Sequence, residues 1–375
     1  MTPSSRRDFL KATGHGVLAA GAVSLAAGTF ARAQDASGGS GQKKTGWAIV
    51  GLGKLALDEV LPAFAKSQSC RPAALVSGHD DKSNKIASQY GLDARHLYNY
   101  ENFDKLKDDP DVDVVYIILP NSLHAEFTIR ALRAGKHVLC EKPMCMSVDE
   151  AKKMIDAANE AKKKLMIAYR LRYEPFNQKA IELSREKAYG PIRYFEAVNY
   201  QNQQAPNYRL QKAMGGGPLG DVGVYCLNAA RYITGEEPIE ASGMHHQPAD
   251  DPRFKEVPGH TTFQLRFPSG VLASCGCGFD GAGARRFRAV GGDGWLEMEN
   301  AFGYAGQQLR TRNGHNSQDF KLQPVNHFAA EMDHLADCVV NDKTPRTPGE
   351  EGLKDMKVMA AIEESAASGK SVKIS

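Results

Sequence analysis

The first half of the sequence predicts an α/β fold with a mostly parallel, doubly wound sheet, and two observations carry that prediction. Short apolar, β-rich runs alternate with amphipathic stretches of helical length, and the first run leads straight into a glycine-rich turn, Gly51-Leu52-Gly53-Lys54-Leu55-Ala56. The runs are "WAIV", "AALV", "VVYIIL", "HVLC" and "LMIAY", separated by helical patterns at 55–66, 82–90, 123–134 and 148–161. Strands that are apolar on both faces need cover on both faces, and alternating helices supply it. The domain is placed at 45–170.

Ahead of it, "SSRRDFLK" at Ser4 to Lys11 precedes a weakly apolar, Gly/Ala-rich run from Gly14 to Phe30 and the triplet Ala31-Arg32-Ala33. A charged start, a short hydrophobic centre and an A-x-A exit describe a processing segment. Ser-Arg-Arg-x-Phe-Leu-Lys is the twin-arginine pattern. As a membrane anchor the run is too short and too glycine-rich, since a span needs about 20 strongly apolar residues. Residues 1–33 are therefore expected to be a cleaved signal read by the twin-arginine export machinery, which carries folded cargo. The mature protein is expected in the periplasm without stable membrane association. Residues 34–44, including "DASGGSGQKK", form a flexible lead-in.

The chain has 47 Lys and Arg against 44 Asp and Glu. Without residues 1–33, which hold Arg6, Arg7, Lys11 and Arg32 against Asp8, the two signs balance. No basic stripe interleaved with aromatics is present, which argues against a nucleic acid or an anionic membrane as partner. Seven cysteines without C-x-x-C spacing speak against a disulfide framework and against a zinc site, and no metal is expected. They suit folding in a reducing compartment before export.

In the glycine turn, Gly51 permits the sharp bend, Gly53 lets the backbone approach a pyrophosphate, and the small Ala56 lets helix and strand pack closely. Directly after the first strand of an alternating domain, this G-x-G-x-x-A pattern points to a dinucleotide. The second strand ends not in a ribose-binding carboxylate but in Ser77-Gly78-His79-Asp80-Asp81-Lys82. A hydroxyl donor, an open glycine and a nearby ammonium suit a 2′-phosphate, so NADP is expected over NAD. Asp80 or Asp81 turning inward is the alternative, and an ordinary acidic helix start is a third explanation of both.

Ligands bind outside the carboxyl ends of parallel strands. "HVLC" delivers Glu141-Lys142-Pro143 there, and "VVYIIL" delivers Pro120, Asn121 and His124. A lysine beside a nicotinamide can donate to a substrate oxygen and supply positive charge where alkoxide develops; a surface lysine before a turn proline is the plainer alternative. Further on, "GGGPLGDVGVYCLNAARYITG" reads as a glycine loop opening a helix, with Pro218 in its first turn and Asp221 and Tyr225 one turn apart. A lysine close by would lower the phenol's ordinary pKa of about 10 and make it a usable acid and base. Asp221 would orient a substrate hydroxyl or hold the lysine. A core-facing aromatic with a solvated aspartate is the competing interpretation.

The motifs "VGLGKLA", "LVSGHDDK", "YIILPNSLHAE", "GKHVLCEKPM", "AYR", "GGGPLGDVGVY" and "TPGEEG" together resemble the Gfo/Idh/MocA oxidoreductase family along the whole mature length. The resemblance implies a Rossmann domain followed by an α+β domain with an open-faced, mostly antiparallel sheet at 171–340, and a helix in 341–375 that returns to the first domain. The alternating segments "HTTFQLRF", "VLASCGCGF", "RRFRAV" and "WLEME" agree with such a sheet. Carried over position by position, the resemblance makes Lys142, Asp221 and Tyr225 the catalytic trio. Around the cofactor it places Gly51, Leu52, Gly53, Lys54, Leu55, Ser77, Gly78, Lys82, Tyr100, Leu119, Pro120, Asn121, His124, Glu141, Lys142, Arg170, Tyr208 and Arg209. Inositol-type members have histidine where Tyr225 stands, so the chain is similar to the sugar branch. It lacks the long proline-rich arm of the glucose-fructose members, which makes the aldose-aldose members the nearer pattern and a homodimer the expected assembly.

Outside the inner membrane there is no free NADP pool, so the nucleotide is expected to stay tightly bound. Small-molecule sugars would then serve as both donor and acceptor. A glucose-like aldose would be oxidised at C1 to its lactone, and a second aldose reduced to the alditol. A fructose acceptor, a dehydrogenase with exchangeable NADP, and a nucleotide-retaining sugar sensor without turnover are the alternatives.

Overall fold

The structure, a computed structural model, describes residues 43–375. The expected signal at 1–33 and most of the lead-in lie outside the described residues. The first sheet has six parallel strands in the order β3-β2-β1-β4-β5-β6. They are β1 (Thr45–Val50), β2 (Cys70–Val76), β3 (Leu97–Tyr98), β4 (Val114–Ile117), β5 (His137–Glu141) and β6 (Leu165–Ala168). All six residues of β1 are buried, which the unbroken apolar run demands. Alternate side chains enter opposite cores. Ala48 and Val50 pack with Val115, Ile117, Phe127 and Met154, whereas Trp47 and Ile49 pack with Tyr116, Met332 and Leu335.

The first core is covered by α2 (His124–Arg133) and α3 (Val148–Ala161); α1 (Asp80–Tyr90) follows β2. The second is closed by α6 (His327–Val340), which arrives from far along the chain. Here the expected 171–340 unit needs correcting. The apolar stripe Phe328, Met332, Leu335 and Ala336 of α6 belongs to the Trp47 core, where it joins Val60, Leu61, Ile86 and Ala87 of the first domain's own helical segments in covering that face of the sheet.

The second sheet has nine strands in the order β14-β13-β12-β11-β7-β10-β9-β8-β15. These are β7 (Ile192–Asn202), β8 (Glu240–His246), β9 (His260–Arg266), β10 (Leu272–Gly278), β11 (Asp280–Gly291), β12 (Gly294–Glu299), β13 (Gln308–Asn313), β14 (Asn316–Asp319) and β15 (Val372–Lys373). Every pairing is antiparallel except that of β7 with β10. One face packs on α4 (Pro175–Arg185) and α5 (Val224–Thr234): Phe195 and Ala197 of β7 point into the core. The other face is open, with Tyr194, Met244 and Leu272 exposed.

The last helix, α7 (Gly349–Ser368), packs on α3 and β6, and its largest contact is with β8 of the second sheet. Gly243 on β8 makes room for it, since a Cβ there would stand 2.8 Å from the Ile362 side chain and carbonyl. A buried ion network pins α5 to α7: Arg231 bonds Asp355 at 2.5 Å and Glu351 at 3.1 Å, and also holds Glu237 at 2.6 Å. Among the described residues, no helix is long and apolar enough to cross a membrane.

Candidate active site

The strand order reverses between β1 and β4, and the crevice at that switch point is where such sheets bind ligands. Gly51 sits there at φ +92°, with the place of a Cβ only 2.3 Å from the Ile118 carbonyl oxygen, so only glycine makes the bend. At Gly53 a Cβ would meet nothing within 4 Å. That free space lies at the start of a helix whose first bond runs from Leu57 N–H to the Gly53 carbonyl, 3.0 Å. It then winds as a π turn over Ala56–Val60. Ala56 is fully buried against the sheet. A helix N-terminus with room above it fits a pyrophosphate; Leu52 is buried beneath the turn and Lys54 is exposed beside it.

At the end of β2, Ser77 Oγ accepts the His79 N–H at 3.2 Å and keeps its own proton to donate. Burial pushes the Tyr100 hydroxyl up to about 12, and the nearby Gly78 backbone N–H opposes that shift. Half-buried Lys82 stands in the first turn of α1, while Asp80 and Asp81 are exposed there, as an ordinary acidic helix start. These groups fit a phosphorylated ribose and offer no inward carboxylate to a free diol.

Several residues expected around the cofactor have other work. His124 is fully buried, with Nδ1 and Nε2 each 2.8 Å from a carbonyl oxygen, of Pro143 and Leu119. Burial holds its pKa down to about 4. Neutral, the ring has one N–H to donate to one of these carbonyls, and both nitrogens are turned to the strand-end loops rather than to a ligand. Arg170, 4 % exposed, spends its guanidinium on the carbonyls of Phe302 and Gly303 at 2.8 and 2.9 Å. It is the brace beneath the reaction site. Asn121 donates to the Gly215 carbonyl at 2.8 Å and so ties the first sheet to the glycine loop of the second domain. Leu119, Pro120 and Glu141 are buried at the same strand ends.

Lys142, Asp221 and Tyr225 do converge. Lys142 Nζ donates to the Asp221 carbonyl at 2.9 Å and to its Oδ1 at 3.3 Å, and lies 4.8 Å from the centre of the Tyr225 ring. Asp221 lies in a second π turn, Leu219–Gly223, that leads into α5; such turns recur at functional sites. Its Oδ2 accepts from Arg209 Nε at 2.8 Å and from Gln201 at 3.3 Å. Burial works against this carboxylate, but Arg209 and Lys142 outweigh it and hold the pKa below the ordinary value. Burial likewise opposes the Lys142 ammonium, yet Tyr225, Asp221 and Glu141 lift its pKa above that of a free lysine. Lys142 is thus a fixed cation and Asp221 a fixed anion, with the Tyr225 ring against the ammonium.

Two participants were not found from sequence. Tyr304, half exposed, has its ring centre 4.6 Å from the Arg170 guanidinium carbon. Gln201 reaches Asp221 from β7. Both come from stretches, "AFGYAG" and "NYQNQQ", with no periodic signal.

Residues 45–169 match the family model described as oxidoreductase family, NAD-binding Rossmann fold, and residues 177–297 match that of the GFO/IDH/MocA C-terminal domain. A D-xylose 1-dehydrogenase [NADP(+)] of Haloarcula marismortui is 26% identical over 88% of this chain and 92% of its own. A dTDP-3,4-didehydro-2,6-dideoxy-alpha-D-glucose 3-reductase of Streptomyces violaceoruber is 32% identical over 68% of this chain and 72% of its own. The solved aldose-aldose oxidoreductase of Caulobacter crescentus, complexed with glycerol, is 44% identical, with TM-score 0.86 over 88% of this chain and 100% of that one.

Proposed function

The chain belongs to the Gfo/Idh/MocA oxidoreductase family, and from that premise we propose that it is an exported enzyme that retains NADP(H) and passes hydride from one sugar to another. It is an NADP-dependent oxidoreductase acting on the CH–OH groups of sugars. Gly51, Gly53, Ser77 and Lys82 would hold the nucleotide, which when bound would supply the hydride chemistry for oxidising one aldose at C1 to its lactone and reducing a second to its alditol.

The chain's own residues handle the protons and the charge. Tyr225 removes the C1 hydroxyl proton in the first half-reaction and returns one to the carbonyl oxygen in the second, as reversibility requires. Lys142 stabilises the oxygen while it carries negative charge. Asp221, fixed by Arg209, aims the ammonium. The observation that carries this reading is the Lys142–Asp221–Tyr225 cluster at the carboxyl end of β5 in the sheet that bears the Gly51–Ala56 turn. The aldose-aldose neighbour, similar across its whole length, favours an aldose in both halves.

Export in the folded state is supported by the leader and by the cysteines: all seven are buried and unpaired, so a chain folded beforehand meets an oxidising compartment with no thiol to offer. The open sheet face with Tyr194, Met244 and Leu272 supports pairing with a second copy. Purified protein, passed through gel filtration and incubated with glucose alone, tests the proposal. Co-eluting nicotinamide absorbance with gluconate and sorbitol as products is the expected result. Nucleotide-free protein that works only with added NADP would make it an ordinary dehydrogenase, and bound nucleotide that never responds to sugar would make it a sensor.

A further inference from the structure

Next to Lys142 on β5, Glu141 points inward to a second acid, Glu331 on α6; they are 7 % and 0 % exposed. Between them stands fully buried Tyr116 of β4, whose hydroxyl lies 2.8 Å from Glu141 Oε1 and 3.4 Å from Glu331 Oε1. Glu141 Oε2 accepts the Lys142 N–H at 3.3 Å, whereas Glu331 Oε2 has no hydrogen-bond partner.

A phenol has one proton to give. At 2.8 Å it goes to Glu141, so the longer contact needs a proton from Glu331. Two carboxylates this close, both out of water, do not ionise together. Of the two, Glu141 has the Lys142 N–H and ammonium beside it. The groups facing Glu331 are Tyr116, Glu141, Arg170 and Tyr173, and the one cation among them, Arg170, has its hydrogen bonds committed to Gly303, Phe302 and His327.

We infer that Glu331 is a positioning residue held as a neutral carboxylic acid, donating to Tyr116, which donates to Glu141 and keeps that group the carboxylate behind Lys142. The role in turnover rests on the sugar chemistry proposed above. Around Tyr225 stand the cations Lys142, Arg170 and Arg209 against the anions Asp221 and Glu141. The proton on Glu331 preserves one net positive charge where the sugar oxygen turns anionic. Loss of that proton would cancel it.

Infrared spectroscopy of the purified nucleotide-containing enzyme, without sugar, reads the proton directly. The expected result is a protonated-carboxyl C=O band persisting to about pH 8, as buried glutamic acids can show, that vanishes in Glu331→Gln. In turnover, Glu331→Leu and Tyr116→Phe should each move the acidic limb of the kcat/KM profile upward, because Glu141 loses its ordered donor. Glu331→Gln, which still donates, should restore the profile and keep kcat within about threefold of the parent. A parent enzyme without the band, a band that survives in Glu331→Gln, or a Gln variant displaced as far as the Leu variant overturns the inference. Because the band is measured without sugar, it stands or falls independently of which sugars react.

Discussion

Replacing Lys142 by methionine separates its charge from its bulk. Methionine is nearly as long, so packing against the Tyr225 ring survives while the ammonium is lost. What disappears is the bond to the Asp221 carbonyl at 2.9 Å and the ion pair to Oδ1 at 3.3 Å. Asp221 keeps Arg209 at 2.8 Å, so no buried carboxylate is abandoned and folding should lose only about 1 kcal/mol. The reacting oxygen, in contrast, loses its charged donor. One such donor in a preorganised site is worth about 2.7–4 kcal/mol of transition-state stabilisation, a 10²–10³-fold fall in kcat. The assay is stopped-flow absorbance of the protein-bound nicotinamide after mixing with glucose, beside a thermal melt of the same sample. An unchanged nucleotide content, a melting temperature within a few degrees of the parent and a rate reduced at least a hundredfold are expected. A fall of less than tenfold in a folded, nucleotide-loaded variant would refute Lys142 as the charge that meets the sugar oxygen.

Gly51→Ala should unfold at lower urea, because its Cβ would strike the Ile118 carbonyl at positive φ, a strain of order 1–3 kcal/mol or more. Gly53→Ala has open space, so it should fold normally yet purify with less nucleotide; equal nucleotide content in both would dismiss the pyrophosphate site. Arg231→Leu strands the carboxylate of Asp355 in the core and should cost about 3–5 kcal/mol, read from the denaturant midpoint. Burial raises the Glu331 pKa, so the folded state binds that proton more tightly than the unfolded chain. Its contribution is fully present below the unfolded value of about 4.3 and is lost as pH rises through the folded value, at about 1.4 kcal/mol per unit of difference. The stability of Glu331→Gln relative to the parent should therefore rise with pH above about 5, and a flat difference between pH 5 and 8 would show an ordinary glutamate.

The sheet was legible because its signals are local. The apolar runs became β1, β2, β4, β5 and β6, and the Gly51–Ala56 turn sits at the strand reversal where its pattern puts it. Lys142, Asp221 and Tyr225 were separately plain and jointly informative. Long-range matters were not legible. Nothing local in 327–340 says which sheet its apolar side chains cover or that Glu331 faces Tyr116. His124 lies at a ligand-bearing strand end, yet two carbonyls claim its ring, which only the fold of the loop after Lys142 reveals. The π turn before α5 likewise has no sequence signature, so Asp221 and Tyr225 are not the simple one-turn pair that α-helical spacing suggests.

The late arrival of α6 sets a timetable for synthesis. Trp47, Ile49 and Tyr116 emerge from the ribosome long before Phe328, Met332 and Leu335, which seal them. An N-terminal fragment ending near residue 170 would display that greasy surface to solvent and should clump or recruit chaperones rather than behave as a freestanding coenzyme-binding module. Maturation of this core must accordingly wait for α6 to be made.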